Sequence, residues 1–287
     1  MFQIRKAERK QAKLRLGISA PSGAGKTHSS IVIAKGMGGK IGLIDTENRS
    51  ADLYCDLADY DVITLTAPYS PERYVQAIET FERAKYDTII IDSLSHAWVG
   101  TGGSLEKHSN AVARDPKGNT WSAWREITPA HNQLVDKLTQ SPCHIIATMR
   151  AKTETVMDKD DSGKIVIRKV GMSPVMRDGI EYEFTLFLEM DQRHNAFVSK
   201  TRIPSFDGKV FIPSERTGEE LIEWLNQGTK DYTQDFEVLK KSIRDNPLQD
   251  LTPHADTLAA LKEQEPETYT KVMKYIESHK PQEVDNG

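Results

Sequence analysis

Eight consecutive residues, Ala20-Pro21-Ser22-Gly23-Ala24-Gly25-Lys26-Thr27, combine two glycines, a lysine and a hydroxyl at a spacing suited to holding phosphate. Gly23 and Gly25 let the backbone curl so that N–H groups point inward at phosphate oxygens. A helix opening at Lys26 adds the partial positive charge of its N-terminus. In this phosphate-loop reading Lys26 reaches the β- and γ-phosphates, and Thr27 offers its hydroxyl to Mg²⁺, a hard cation that seeks oxygen. Ser22, Gly23, Ala24, Gly25, Lys26, Thr27 and His28 are therefore the expected nucleotide-binding residues. The usual pattern begins on glycine where this chain has Ala20, a replacement that a negative φ tolerates.

A carboxylate must complete the metal's shell. Asp92 ends the apolar run Thr88-Ile89-Ile90-Ile91 and is expected to join Thr27 there; its other reading is a helix N-cap. Ile41-Gly42-Leu43-Ile44-Asp45-Thr46-Glu47 places two acids two residues apart. Asp45 caps or packs locally. Glu47, just past the strand end, faces the γ-phosphate as general base, or else lies exposed in a loop. No Asn/Thr-Lys-x-Asp sequence follows to read guanine, so ATP with Mg²⁺ is expected rather than GTP.

These residues need a scaffold that gathers strand ends. Short apolar β-rich runs alternate with helical patterns, which predicts an α/β fold with a mainly parallel central sheet flanked by helices. Strands are expected at residues 14–20, 40–45, 62–66, 88–92, 144–149, 184–190, 196–200 and 210–212. Helices are expected at about 26–36, stopped by Gly36, Gly38 and Gly39, at 71–85 behind Ser70 as N-cap, at 121–139 with Pro129 as a kink point, and at 218–225. Residues 100–120 read as one long loop and 151–180 as a mobile polar hairpin turning at Asp161-Ser162-Gly163. Both follow buried strands, and ligands of open α/β sheets bind beyond strand carboxyl ends.

The chain divides by composition into a basic arm at residues 1–15, an ATPase domain at 14–228 and a small helical, acidic extension at 229–287, one of whose helices starts at Thr252-Pro253. The arm carries six basic groups and one acid, the extension eight and twelve, and the whole chain has a net charge of −4. That balance excludes a strongly basic coat protein but leaves room for a local nucleic-acid surface. No apolar run approaches the ~18 residues of a membrane helix, and no signal-peptide core is present. Two cysteines, Cys55 and Cys143, build neither a disulfide framework nor a zinc site by themselves, so a cytoplasmic location is expected.

The spacing from Ala20 through Ile44-Asp45-Thr46-Glu47 to Ile91-Asp92-Ser93 resembles the core of RecA-like recombinase ATPases. The resemblance implies Glu47 as catalytic glutamate and Asp92 as the metal-side aspartate. Val198-Ser199-Lys200-Thr201-Arg202 is similar to the family's Lys-x-Lys finger, which enters a neighbouring subunit's ATP site; Lys200 and Arg202 then join Lys26 and Glu47 as catalytic residues. The family's Asn-Gln sensor is replaced by Thr148-Met149-Arg150. Residues 5–7, 10–15 and 171–183 further resemble phage-encoded ATP-binding proteins with a short RecA core, some of which act in single-strand annealing and strand exchange beside a single-strand-binding protein; a phage-encoded chain would work in the host's cytoplasm. The resemblance covers about residues 5–225. It implies a homo-oligomer, ring or filament, on single-stranded DNA and in phage-type recombination.

Physical reading of those segments keeps alternatives open. Lys200 and Arg202, two apart on a strand, share a face, where they either meet a phosphoryl group or stand as solvated edge cations. The stretch 150–170 has six cations against four acids. Arg114, Lys117, Lys152, Lys164, Arg168 and Lys169 are the expected DNA contacts. Trp121 and Trp124, three apart on one helix, either stack on bases or pack inward, and His96 and Trp98 are equally two-sided. Two other function classes use the same core: a loader, helicase-like or packaging motor, and a module whose nucleotide only orders it for a protein partner.

Overall fold

A computed structural model describes residues 6, 7, 9–159, 165–229, 239, 242–244, 246, 251–264 and 266–278, with the backbone alone for 153–159, 165–170, 253 and 264. Strands β1 (Arg15–Ala20), β2 (Ile41–Asp45), β3 (Tyr60–Thr64), β4 (Thr88–Asp92), β5 (His144–Lys159), β6 (Ile165–Pro174), β7 (Leu186–Met190), β8 (Ala196–Thr201) and β9 (Val210–Phe211) form a nine-stranded sheet. Its order is β3-β2-β4-β5-β1-β7-β8-β9, with β6 paired to β5. The six strands from β3 to β7 run parallel; β8, β9 and the β5–β6 pair are antiparallel. The expected mainly parallel α/β core is therefore present.

Strands β1, β2 and β4 are buried along their whole length, as continuous apolar runs covered on both faces must be. Alternation divides them. Leu16, Ile18, Leu43, Ile90 and Ile146 pack with helices α1 (Lys26–Met37) and α6 (Glu215–Leu225). Ile89, Ile91, Ile145 and Ala147 pack with α2 (Pro71–Arg83) and α5 (Thr120–Gln140) on the opposite face. Between these come α3 (His96–Val99) and α4 (Ser104–Arg114).

Several expectations need correction. Residues 100–120 are not one long loop, because α4 occupies Ser104–Arg114. Only Ser104 and Ala111 of that helix are buried, so little core packing fixes it. It is held instead by the Lys107–Glu72 pair at 3.0 Å and by the His108 ring stacked on Trp124. Gly36 does not stop α1 and Gly218 does not open α6. The two helices cross there so closely that a Cβ on Gly36 would lie 1.8 Å from Glu215 O, and one on Gly218 2.1 Å from Ile33 O. The helix does end at Gly38, at φ 75°. Pro129 lies inside α5, whose N-terminus Asn119 caps by accepting from the amides of Trp121 and Ser122. Ser70 precedes α2 without a side-chain cap bond. β5 runs past Met149 to Lys159 and pairs with β6 as a hairpin, whose expected turn at Asp161–Gly163 lies outside the described residues.

Contacts divide the chain into Lys13–Leu225 and a second unit formed by Met1–Ala12 with Asn226–Gly287. Within the second unit Lys10 pairs with Thr229, and the Gln11 amide donates to Thr229 O at 2.9 Å. Thr252–His254 forms a single turn leading into α7 (Ala255–Gln264), followed by α8 (Pro266–Ser278). Leu239, Ile243, Leu261, Val272 and Ile276 make this unit's own small core. No helix among the described residues is long and apolar enough to cross a membrane.

Candidate functional site

The carboxyl ends of β1, β2, β4 and the first half of β5 lie side by side, and the loops leaving them surround a cavity of about 870 Å³. Ala20 ends β1 buried and is absent from the positive-φ residues, so alanine serves where the usual pattern has glycine. Gly23 and Gly25 take φ 79° and 86°, left-handed values that carry the turn into α1. Ser22, Gly23, Gly25, Lys26, Thr27 and His28 line the cavity. Ala24 does not: its side chain is buried, and its amide faces Pro21 O. The Lys26 ammonium donates to Ala20 O at 3.1 Å and Pro21 O at 3.0 Å. Burial holds its pKa below the ordinary lysine value, against the opposing charge of Asp92.

Asp92 caps no helix. Its Oδ2 accepts from Thr27 Oγ1 at 2.5 Å and its Oδ1 from Thr148 Oγ1. Burial raises its carboxyl pKa above the usual range, with the bonds from Thr148 and Thr27 opposing. A buried carboxylate beside a threonine hydroxyl at the cavity floor is an all-oxygen donor set, which fits a hard divalent cation. No cluster of three or more His, Cys, Asp or Glu side chains that could hold a metal by itself occurs among the described residues.

Asp45, fully buried, shapes the turn beyond β2: its carboxylate accepts from the Glu47 amide at 2.6 Å and the Ala51 amide at 3.3 Å. Thr46 stitches β2 to β4 by accepting from the Ser93 amide at 2.9 Å, and its hydroxyl meets His96 Nδ1 at 2.7 Å. His96 also stacks on Tyr69 at 4.9 Å. Glu47 therefore projects into the cavity, half-buried, where Arg150 holds it by both oxygens. Arg150 Nη2 donates to Oε1 and Oε2 at 2.8 Å each, and Nε to Oε1 at 3.1 Å. Burial pushes the Glu47 carboxyl up, but the hydrogen bonds and charge of Arg150 outweigh it and leave the carboxyl below its usual value.

Other expected residues lie elsewhere. Lys200 does not line the cavity; its ammonium donates to Tyr182 O at 3.0 Å and to Phe184 O. Arg202 is exposed and lies one residue past the end of β8 at Thr201, so the shared-face argument does not reach it. Arg114 pairs with Glu126 at 3.3 Å; Lys117 and Lys152 are exposed. Lys164 and the side chains of Arg168 and Lys169 lie outside the described residues. The tryptophans separate: Trp124 stacks between Trp98 and His108, whereas Trp121 is 85% exposed.

The cavity also has walls that the sequence did not reveal. Tyr54, whose ring meets His28 edge-on at 6.3 Å, joins Ser50, Ile212, Pro213 and His194. Thr148 and Arg150 reach the site because β5 lies between β1 and β4. Their signal was faint: Thr148-Met149-Arg150 stood at a strand end, with nothing in its spacing to say which acids it faces.

Comparison with known proteins adds three findings. The AAA domain family matches residues 12–216. No curated protein matches the chain. Among solved structures, the chain is similar to the RadB recombinase at 14% identity, covering 72% of this chain and 90% of that one with a TM-score of 0.34. It is also similar to a prototypical ATPase from the type III secretion system of pathogenic bacteria, at 14% identity, 92% and 80% coverage and a TM-score of 0.35. With a phosphate loop at the end of β1, acids at the ends of β2 and β4, and a match that spans most of its length, the chain belongs to the AAA domain family.

Proposed function

We propose that this chain is a Mg²⁺-dependent ATPase that acts on single-stranded DNA as a homo-oligomer, in phage-type recombination or single-strand annealing. The observation that carries the reading is the convergence of Lys26, Thr27, Asp92 and Glu47, from three separate strand ends, on one cavity. Lys26 and the loop amides bind the phosphates, and Thr27 with Asp92 holds the cation. Bound there, Mg²⁺ supplies positive charge that stabilises the phosphoryl oxygens. Glu47 accepts the proton of the attacking water once Arg150 frees an oxygen, and a neighbour's Arg202 supplies further charge, joined by Lys200 where it leaves its own chain's carbonyls. Support for the DNA partner is the exposed Trp121 beside exposed Lys117 and Arg125, a ring and cations suited to a base and a backbone. A single-strand-binding protein is a further expected partner.

One observation favours a second reading. Both Glu47 oxygens are engaged by Arg150, as they would be in a module whose nucleotide orders the fold without turnover. One experiment separates the two: ATP turnover with and without single-stranded DNA, for wild type, Lys26→Ala and Glu47→Gln, beside titration with a fluorescent adenosine nucleotide and Mg²⁺. We expect Lys26→Ala to lose binding and Glu47→Gln to bind without turnover. Zero turnover in wild type with intact binding supports the module. Absence of saturable binding in wild type sinks both readings.

A further inference from the structure

The turn between β7 and β8 is seated on the phosphate loop. β7 runs parallel to β1, with Ser19 opposite Glu189, so the end of β7 arrives beside Ala20. The turn Asp191–Asn195 then reaches across. Gln192 Nε2 donates to Ser22 O at 2.9 Å, and His194 Nδ1 lies 3.1 Å from Ala24 O, where a ring N–H donates. The turn is built to present these two side chains. The Asp191 carboxylate accepts from the Arg193 amide at 2.8 Å, the Asn195 amide at 2.9 Å and the Asn195 side chain at 3.0 Å. His194 occupies φ 66°, a left-handed conformation uncommon for a residue with a side chain. Gly25 leaves the room it needs, since a Cβ there would meet His194 Nδ1 at 3.1 Å.

We propose that Gln192 and His194 are positioning residues for nucleotide binding: they fasten the outward carbonyls of the phosphate loop and so aim its amides inward. This rests on the cavity being a nucleotide site. The argument is the planarity of the peptide. In a trans peptide the C=O and the following N–H point in opposite directions. Holding Ser22 O fixes the direction of the Gly23 amide, and holding Ala24 O fixes that of the Gly25 amide. Both glycines line the cavity, and neither has a side chain to restrict its backbone. The brace therefore selects, before ligand arrives, the loop conformation that phosphate requires, and its effect falls on affinity.

The test is titration of the full chain with a fluorescent adenosine nucleotide and Mg²⁺, with KM and kcat for ATP alongside. Four variants are compared. Gln192→Ala removes one donor; Gln192→Glu is isosteric and turns a carboxylate oxygen toward Ser22 O. His194→Gly keeps the left-handed turn without the ring; His194→Asn tolerates that turn and restores an N–H near the Nδ1 position. We expect Kd to rise roughly fivefold in Gln192→Ala and in His194→Gly, the size of one ordinary hydrogen bond, and further in Gln192→Glu. His194→Asn should return toward wild type, and the loss should appear in KM more than in kcat. Wild-type affinity in Gln192→Glu and His194→Gly overturns the brace, as does a His194→Asn variant as weak as His194→Gly. A wild type that binds no nucleotide overturns instead the proposed function.

Discussion

At the scale of single residues, the pairing that decides the chemistry is Glu47 with Arg150. A guanidinium fork matched to a carboxylate is the strongest common form of side-chain hydrogen bonding. In the proposed mechanism Glu47 is the general base, and this pairing engages the oxygen it must offer to water. Arg150 also keeps the Glu47 carboxyl ionised to lower pH than usual, which makes it a weaker base. Two consequences follow for Arg150→Ala. Its Glu47 carboxyl, left with burial against only the weaker effects of His96 and Lys26, titrates at higher pH, so the acid limb of the kcat profile moves upward in pH. Its turnover without DNA rises, because no bond has to break first. A pH profile of both proteins checks this: an unmoved acid limb means that Glu47 is not the titrating base. Lys26, Thr27, Asp92 and Glu47 were legible in the sequence because each sits in a contiguous motif at a strand end. Thr148 and Arg150 were legible only as part of the segment that replaces the resembling family's sensor, without their partners, and Gln192 and His194 were not legible. Their partners come from strand order, with β5 inserted between β1 and β4 and β7 beside β1, and residue spacing does not encode that order.

At the scale of elements, the buried β1–β5 pairing carries a pH liability. The Leu14 amide donates to His144 Nδ1 at 3.0 Å, a bond that requires the ring nitrogen unprotonated. Burial, aided by the charges of Lys13 and Arg15, pushes the His144 pKa down to about 3. His131, packed edge-on against Trp98, is pushed down to about 4 by burial and then by Arg177. Above the unfolded histidine pKa of about 6.5 neither state binds the proton and the neutral ring's full stability is present. As pH falls below that, the unfolded chain binds protons that the folded chain refuses, and stability declines by roughly 1.4 kcal/mol per pH unit for each such histidine. The decline from His144 stops near its folded value of about 3. His144→Asn keeps an acceptor for the Leu14 amide without a titrating proton. Urea unfolding measured between neutral and acid pH should show a shallower loss in this variant, and an identical slope would assign the loss elsewhere. The strands of this core were readable because double-sided burial leaves unbroken apolar runs. α4 was misread because its Ser and Asn residues, and the glycines flanking it at 100, 102, 103 and 118, look like loop, and what fixes it is a ring stack and an ion pair supplied by α5 and α2.

At the scale of the whole ATPase unit, the sheet separates its own cavity from Lys200 and Arg202, the proposed finger. β7 ends beside the phosphate loop and β8 returns antiparallel, with Leu186 opposite Thr201 and Met190 opposite Ala196. Lys200 and Arg202 therefore lie toward the end of the sheet away from the cavity that the same chain builds. Within one chain they stabilise nothing on a phosphoryl group. Lys200 is already committed to the carbonyls of the turn at Ile180–Glu183 and Phe184, and burial followed by the charge of Arg202 holds its pKa below the ordinary lysine value. Arg202, exposed at the strand end, is the cation with reach. If it acts, it acts on a neighbour, and subunits must associate head to tail, since a surface carrying the finger and a surface carrying the cavity are different patches. Mixing tests this without any structure of the assembly. Arg202→Ala subunits keep an intact cavity and Lys26→Ala subunits keep an intact arginine, so each alone should be nearly inactive. At equal proportions cavity and finger are drawn independently, and about a quarter of interfaces regain both, so turnover should recover to about a quarter of wild type. No recovery at any ratio, from two variants that still associate, would show that Arg202 serves no neighbouring cavity. An Arg202→Ala protein as active alone as wild type would leave the finger without a catalytic role.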